Sequence, residues 1–356
     1  MWKTLLVVVL GLVAVACIAV VTLQSSTEWQ IGEVARTPDD RFADLADYPF
    51  APNYVEIAGM RIHYIDEGPA DGAPILLLHG QPSWSYLYRH MIPPLVEAGY
   101  RVVVPDLVGF GKSDKPVRQS DYTYQMHLDV MTSFVRMLDL HGATFFGQDW
   151  GGLIGLRVVA EEPDRFARIM ISNTGLPAAG GLAGWLGYPL FRFGVWREGT
   201  VEQLGPVGGN AFSFTRWVAY SRTTPNFDMA NLFQTATTRE LSDHELAGYA
   251  APFVGEEHLA GARIFPFLVP SQLRENDRVM RKVYDEWDKP FLTAFGDSDP
   301  VTAGGEAVWQ ERVPGAAGQP HVIIEGGGHF IQEDRPQRLV DLMIAFIEQD
   351  GRSHSP

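Results

Sequence analysis

Cysteine is almost absent: Cys17 is the only one in 356 residues. No intrachain disulfide, cysteine metal cluster or redox pair can form. Positive charge is scarce as well. Twenty-eight Lys and Arg stand against 43 Asp and Glu, a net charge of −15 at pH 7. Such a surface repels polyanions, so nucleic acid is not expected as a partner. The chain has no internal repeat and no low-complexity tract. No cluster of His and acidic residues has metal-ligand spacing, so neither metal nor cofactor is expected. What the chain does have is 46% hydrophobic and 12% aromatic residues, nine of them Trp. This composition excludes a disordered polymer. The length suffices for a large core, either as two units or as one domain with an insertion.

Long apolar runs are also few, and one stands out. Thr4–Leu23 is uncharged. At 1.5 Å rise per residue it would span about 30 Å, the hydrocarbon thickness of a bilayer. Lys3 precedes it, and Glu28, Glu33, Asp39, Asp40, Asp44 and Asp47 follow. The positive-inside rule then places the N-terminus in the cytoplasm and the rest of the chain outside. Residues 1–27 are therefore expected to be a transmembrane anchor. Ala14-Val15-Ala16 offers an alternative, signal cleavage and secretion, although that cut would leave apolar Ile18–Leu23 on the mature chain. Lipidation of Cys17 is a third reading. Residues 28–53, acidic and broken by Pro38, Pro49 and Pro52, read as a linker and strap.

The body alternates strands and helices. Val55–Ile57 and Arg61–Asp66 read as short strands. Ile75–Leu78, Val102–Val104, Ala143–Phe146, Ile169–Ser172, Phe291–Phe295 and Val322–Ile324 read as buried ones. Leu128, Met131, Val135 and Leu138 recur at helical spacing, as do Leu339, Leu342, Met343, Phe346 and Ile347. The pattern predicts an α/β fold, a mostly parallel, doubly wound sheet. Its first part is residues 54–172 and its second 289–350. Residues 173–288, where the alternation stops, predict a helical cap, and Ser242-Asp243-His244-Glu245 matches a capping box within it.

Chemistry concentrates at Gly147-Gln148-Asp149-Trp150-Gly151. This is a strand–turn–helix of the form G-x-nucleophile-x-G with Asp where Ser is usual. A carboxylate can displace a leaving group at saturated carbon or open an epoxide. The product is an ester on the enzyme that water must hydrolyse. In the chain order nucleophile, acid, histidine, the base falls to His329 in Gly326-Gly327-Gly328-His329. The orienting acid falls to Asp299, with Asp297 as a turn residue. His79 and His321 are rivals read as structural. The loop His79-Gly80-Gln81-Pro82 is expected to supply the Gln81 amide to an oxyanion hole, shared with the Trp150 amide. The Gln81 side chain is a candidate to hold the hydrolytic water.

The stretch His79–Pro116, ending Leu-Val-Gly-Phe-Gly-Lys-Ser-Asp-Lys-Pro, together with Gly147–Gly152, resembles the haloalkane dehalogenases of the α/β-hydrolase superfamily. It is most similar to the subfamily whose acid follows the strand before the histidine loop. The resemblance implies an α/β-hydrolase fold with an inserted helical cap. It implies a small apolar halogenated substrate, hydrolysed with water to alcohol and halide through an alkyl-aspartate ester. It implies halide binding by Trp150 and Trp217, and a pocket lined by Phe214, Phe265 and Pro266. Epoxide hydrolases share the Asp-Trp-Gly turn, but usually carry an aromatic residue at the place of Gln81 and protonate with two cap tyrosines; here Tyr220 and Tyr249 are the candidates. An idle hydrolase fold serving as a binding protein is the third reading, opposed by the complete set of reacting groups.

Overall fold

The computed structural model describes residues 31–201, 213–225 and 227–353. The chain divides into two compact units, Met1–Ile31 and Gly32–Pro356. All that follows concerns the second.

Ten strands are present among the described residues: β1 (Val34–Ala35), β2 (Asn53–Ile57), β3 (Met60–Glu67), β4 (Pro74–Leu78), β5 (Arg101–Pro105), β6 (Lys115–Pro116), β7 (Ala143–Gln148), β8 (Phe166–Ser172), β9 (Phe291–Gly296) and β10 (Val322–Ile324). Eight of them form one sheet in the order β10-β9-β8-β7-β4-β5-β3-β2. The pairs from β10 to β5 are parallel, and β3 is antiparallel to both β5 and β2. The runs read as buried strands are those of the parallel centre. Ile75–Leu78, Val102–Val104, Phe145, Phe146 and Phe291–Leu292 are sealed from solvent. Strands covered by helices on both faces have no polar side to alternate with, which is why they read as continuous apolar runs.

Helices Tyr124–Met137, Trp150–Glu161 and Pro336–Ser353 flank the sheet, the first capped by the Thr123 side chain. Between β8 and β9 the described chain is helical throughout, from Gly181–Glu198 to Leu273–Lys282. The expected capping box is there: Ser242 and Glu245 exchange side-chain-to-backbone bonds at the start of Asp243–Ala250. This helical layer is tied to the core through charge. Arg89, in the loop after β4, reaches Glu333 and Glu245, and Arg239 bonds the same two carboxylates.

Two expectations are revised. The strap read within residues 28–53 is integral to the body. Its β1 pairs with β6, the Arg36 guanidinium binds Asp114 at 2.6 Å, and Thr37 donates to the Pro252 carbonyl in the helical layer. The fold class stands as an α/β-hydrolase fold without its expected transmembrane helix. No helix among the described residues is long and apolar enough to cross a membrane. The run Thr4–Leu23 that suggested one lies outside the described residues. The longest described helices cannot substitute for it, since Gly181–Glu198 carries Arg192, Arg197 and Glu198, and Pro336–Ser353 has a charged face.

Candidate active site

The loops that follow four adjacent parallel strands carry the site. Asp149 follows β7, Asn173 follows β8, Asp299 lies after β9 and His329 after β10. Parallel strands all end at one edge, so residues up to 180 positions apart in sequence meet there.

Asp149 sits at φ 49°, ψ −125°, outside the regions an ordinary side chain prefers. The turn is held by close packing. A Cβ on Gly151 would fall 1.9 Å from the Leu78 carbonyl oxygen, and one on Gly80 would fall 2.3 Å from Asp149 Oδ1. Glycine alone lets the elbow helix press onto β4 and the loop after β4 press onto the carboxylate. The Gln81 amide donates to Asp149 Oδ1 at 2.7 Å. The other oxygen, Oδ2, stands 3.7 Å from His329 Nε2.

On its far side His329 Nδ1 lies 3.1 Å from both oxygens of Asp299. Asp299 is 2% exposed; the Val301 amide and the Thr302 hydroxyl also donate to it. These donors and His329 hold its carboxyl below the usual range although burial opposes ionisation. For His329, burial disfavours the charged imidazolium. The carboxylates of Asp299 and Asp149 outweigh it and raise the pKa to about 10. Both carboxylates thus favour the charged imidazolium in the resting site.

The rival histidines are structural, as read. His79 Nε2 accepts the Leu107 amide at 2.9 Å and its Nδ1 lies 2.9 Å from the Gly80 carbonyl oxygen. His321 is spent on Thr293 and the Ala316 carbonyl. Asp297 is a turn residue, accepting from the Ser298 hydroxyl and the Gly326 amide.

A cavity of about 590 Å³ opens over Asp149 and His329. Trp150, Trp217, Phe214 and Pro266 line it, together with Gln81. Neither indole N–H of Trp150 or Trp217 has a hydrogen-bond partner among the described residues. Tyr220 is the one tyrosine in the lining; Tyr249 lies away from it with its hydroxyl on Glu333. The tyrosine pair that epoxide opening needs is not assembled here.

One placement differs from expectation. Phe265 is not a pocket wall. Neighbouring helical residues point about 100° apart, and with Pro266 toward the cavity Phe265 turns behind Trp150, ring centroids 4.5 Å apart. The Gln81 side chain donates to the Ala262 carbonyl at 2.8 Å, which fixes its amide against the helical layer while Gln81 still lines the cavity. In the resting site the Asp149 carboxylate is held by the Gln81 amide. Sequence reasoning also missed Phe227, Leu232, Val269 and Phe330 in the lining. The elbow strand's Gln148, whose amide donates to the His329 carbonyl at 3.0 Å, was missed too. Apolar spacing signals burial, and it does not distinguish a cavity wall from a core contact.

His90, Glu245 and Glu333 also come within 4.8 Å of one another. Both carboxylates are already engaged by Arg89 and Arg239, the charge partners a cation would replace.

Comparison with known proteins agrees with this geometry. A family model described as alpha/beta hydrolase fold matches residues 73–336. A haloalkane dehalogenase of Psychrobacter cryohalolentis is 46% identical over 329 residues, covering 90% of this chain and all of that protein. One of Mycobacterium marinum is 44% identical over 325 residues, 88% of this chain and 99% of that one. Among solved structures, the tetrameric haloalkane dehalogenase of Paraglaciecola agarilytica matches with TM-score 0.71 at 30% identity, covering 87% of this chain and 96% of that one. The haloalkane dehalogenase of Bradyrhizobium elkani, TM-score 0.65 at 22% identity over 85% of this chain and 99% of that one, shares the fold.

Proposed function

The chain belongs to the haloalkane dehalogenases of the α/β-hydrolase superfamily, and from that premise we propose how its residues divide the hydrolysis of a haloalkane to alcohol and halide. Asp149 is the nucleophile. Its Oδ1 is held by the Gln81 amide, which leaves Oδ2 to attack the carbon bearing the halogen. The carbon–halogen bond breaks with its electron pair on the halide. Trp150 and Trp217 receive that ion with their free indole N–H groups. Neutral donors suit a large, weakly hydrated anion that has to depart afterwards.

Alkylation changes the electrostatics of the base. Turning Asp149 into a neutral ester removes one of the two anions that keep His329 protonated. The imidazole can then lose its proton and act. It takes a proton from water at Nε2 while Asp299 fixes Nδ1. The hydroxide oxygen attacks the ester carbonyl carbon, and the charge that develops on Oδ1 meets the Gln81 amide already aimed at it. Collapse breaks the acyl–oxygen bond; the departing alkoxide takes the proton of the new Asp149 carboxyl, which releases the alcohol, restores the carboxylate and leaves on His329 the proton taken from water.

The observation that carries this reading is the Asp149 carboxylate, with one oxygen pinned and the other facing His329 across 3.7 Å in a cavity of apolar walls. A single turnover of a bromoalkane in ¹⁸O water tests it. The alcohol should leave unlabelled, with the heavy oxygen retained in a peptide containing Asp149. Label in the alcohol would mean direct attack by water and would refute the nucleophile.

A further inference from the structure

Asn173 belongs to none of the roles above, yet it touches the strand ends that carry Asp149, Asp299 and His329. It lies at the end of β8, the strand between the nucleophile's β7 and the acid's β9. Its backbone carbonyl accepts the Asp149 amide at 3.0 Å. Its side-chain Oδ1 accepts the Gly296 amide at 2.8 Å, where β9 ends three residues before Asp299. Its Nδ2 donates to the Gly328 carbonyl at 2.7 Å and to the His329 carbonyl at 3.1 Å. Both N–H bonds and the oxygen of a fully buried amide are thus spent on the acid and histidine loops. The residue adopts φ 44°, a left-handed conformation that asparagine tolerates better than most residues.

We propose that Asn173 is a positioning residue for the second half of the reaction, holding the acid strand and the histidine loop in register with the nucleophile. The proposal rests on the assignment of His329 as base.

The division between its backbone and side chain gives the proposal a specific consequence. Asp149 is anchored by the Asn173 backbone carbonyl, by the Thr174 hydroxyl on its own carbonyl and by the Gln81 amide. None of these contacts needs the Asn173 side chain. Asp299 and His329 lose a shared tether when that side chain is removed, and the His329 carbonyl keeps only the Gln148 amide. Carbon–halogen cleavage should therefore survive truncation, whereas ester hydrolysis, which depends on aligning Nε2, water and the ester carbon, should not. A displacement of the order of 1 Å costs roughly a hundred-fold in such an arrangement.

Asn173→Gly is the suitable variant, because glycine accepts φ 44° without strain and removes only the tethers. Rapid-quench turnover of a bromoalkane reads both half-reactions in the full-length protein. The expected result is an alkylation rate within a few-fold of wild type, hydrolysis slowed roughly ten- to a hundred-fold, and an alkyl adduct on Asp149 visible by intact mass in the steady state. Asn173→Ser, which keeps one hydroxyl donor, should recover part of the hydrolysis rate. Equal slowing of both half-reactions, with circular dichroism still native, would reduce Asn173 to a general packing residue and overturn the proposal; so would an unchanged hydrolysis rate. Should the glycine variant not fold, the serine variant decides by the same ratio of the two rates. His329→Gln run alongside separates the failures. If it accumulates adduct and the Asn173 variants do not, the positioning role alone is wrong. If it accumulates none, the base assignment falls and this proposal with it.

Discussion

Two buried His–Asp pairs occur among the described residues, and one of them faces a cavity. His63 on β3 and Asp106 after β5 meet at 2.7 Å, both side chains sealed at 1% exposure or less. His329 and Asp299 meet at 3.1 Å. The chemistry of the groups is the same; their surroundings differ. Asp106 also receives the Ser85 amide at 2.7 Å and the Lys112 amide at 2.8 Å. Burial works against its charge, but His63 and these amides hold its carboxyl well below the usual range. Its donors knit the loops after β4 and β5 to β3. In the other pair the second imidazole nitrogen looks into an apolar cavity at a carboxylate that carries no hydrogen bond on the facing oxygen. A His–Asp pair becomes a base when one nitrogen is left toward a reactant; when every partner is a neighbour in the fold it is a brace.

The sharpest way to break this contrast is to remove each imidazole in turn. His329→Gln should lower steady-state halide release by roughly 10⁴-fold or more and leave one alkyl group on Asp149 by intact mass. His63→Gln should leave turnover within a few-fold of wild type while unfolding in urea reports a loss of about 3 kcal/mol, because the buried Asp106 charge loses its partner. If His63→Gln also abolished turnover without loss of structure, the distinction would be wrong.

The acids give a comparable but narrower contrast. Asp299→Asn should cost on the order of 10⁴ in turnover, the scale seen when an orienting carboxylate is lost. Asp297→Asn, two residues away, alters a turn and should change turnover little. The same halide assay reads both.

The cavity side can be sharpened through the indoles. Saturable quenching of tryptophan fluorescence by bromide should report halide binding. Trp217→Phe should weaken it about ten- to a hundred-fold, the value of a charge-assisted donor of roughly 1.5–3 kcal/mol. Trp185 and Trp196, which are 62% and 75% exposed on the outer helix, should be replaceable by Phe with no change in affinity.

The smallest effect concerns pH. The His329 pKa is raised from 6.5 to about 10 in the folded site. Its contribution to stability is complete below 6.5 and disappears as pH rises through 10. Asp106 and Asp299, both lowered from 3.8, contribute above that value and lose it as pH falls. The stability difference between wild type and His329→Gln, followed by thermal unfolding, should therefore shift against the wild type as pH rises from 6.5 to 10, while the acid decline left to the carboxylates is shared by both. An alkaline limb unchanged in that variant would contradict the double-anion setting of His329.

Much of this was legible without coordinates because it is local. The strand–glycine–Asp–glycine–helix turn is a property of five consecutive residues whose backbone must pass through φ 49° and press on β4. The buried strands were legible as apolar runs, whereas Asp297 and Asp299 both accept from their own turn and are separated only by the long-range contacts of Asp297 with Gly326 and of Asp299 with His329. Phe265 was misplaced because a helix position one residue off changes the facing direction, and proximity in sequence to Pro266 carries no information about it. The bond of the Gln81 side chain to Ala262 was not legible because that partner is 181 residues away.

By itself, then, the sequence determined the elements, the elbow turn and the family to which the chain belongs, and it singled out Asp149, Asp299 and His329 as candidates, since each is written in short-range spacing and residue type. Only the tertiary structure decided which of two His–Asp pairs faces a reactant, which oxygen of Asp149 is free, and that Asn173 joins three loops. The physical reason is the order β10-β9-β8-β7. Side-by-side parallel strands set their ends about 5 Å apart, and that lateral neighbourhood, absent from the linear chain, is where hydrogen bonds and charges acquire their partners.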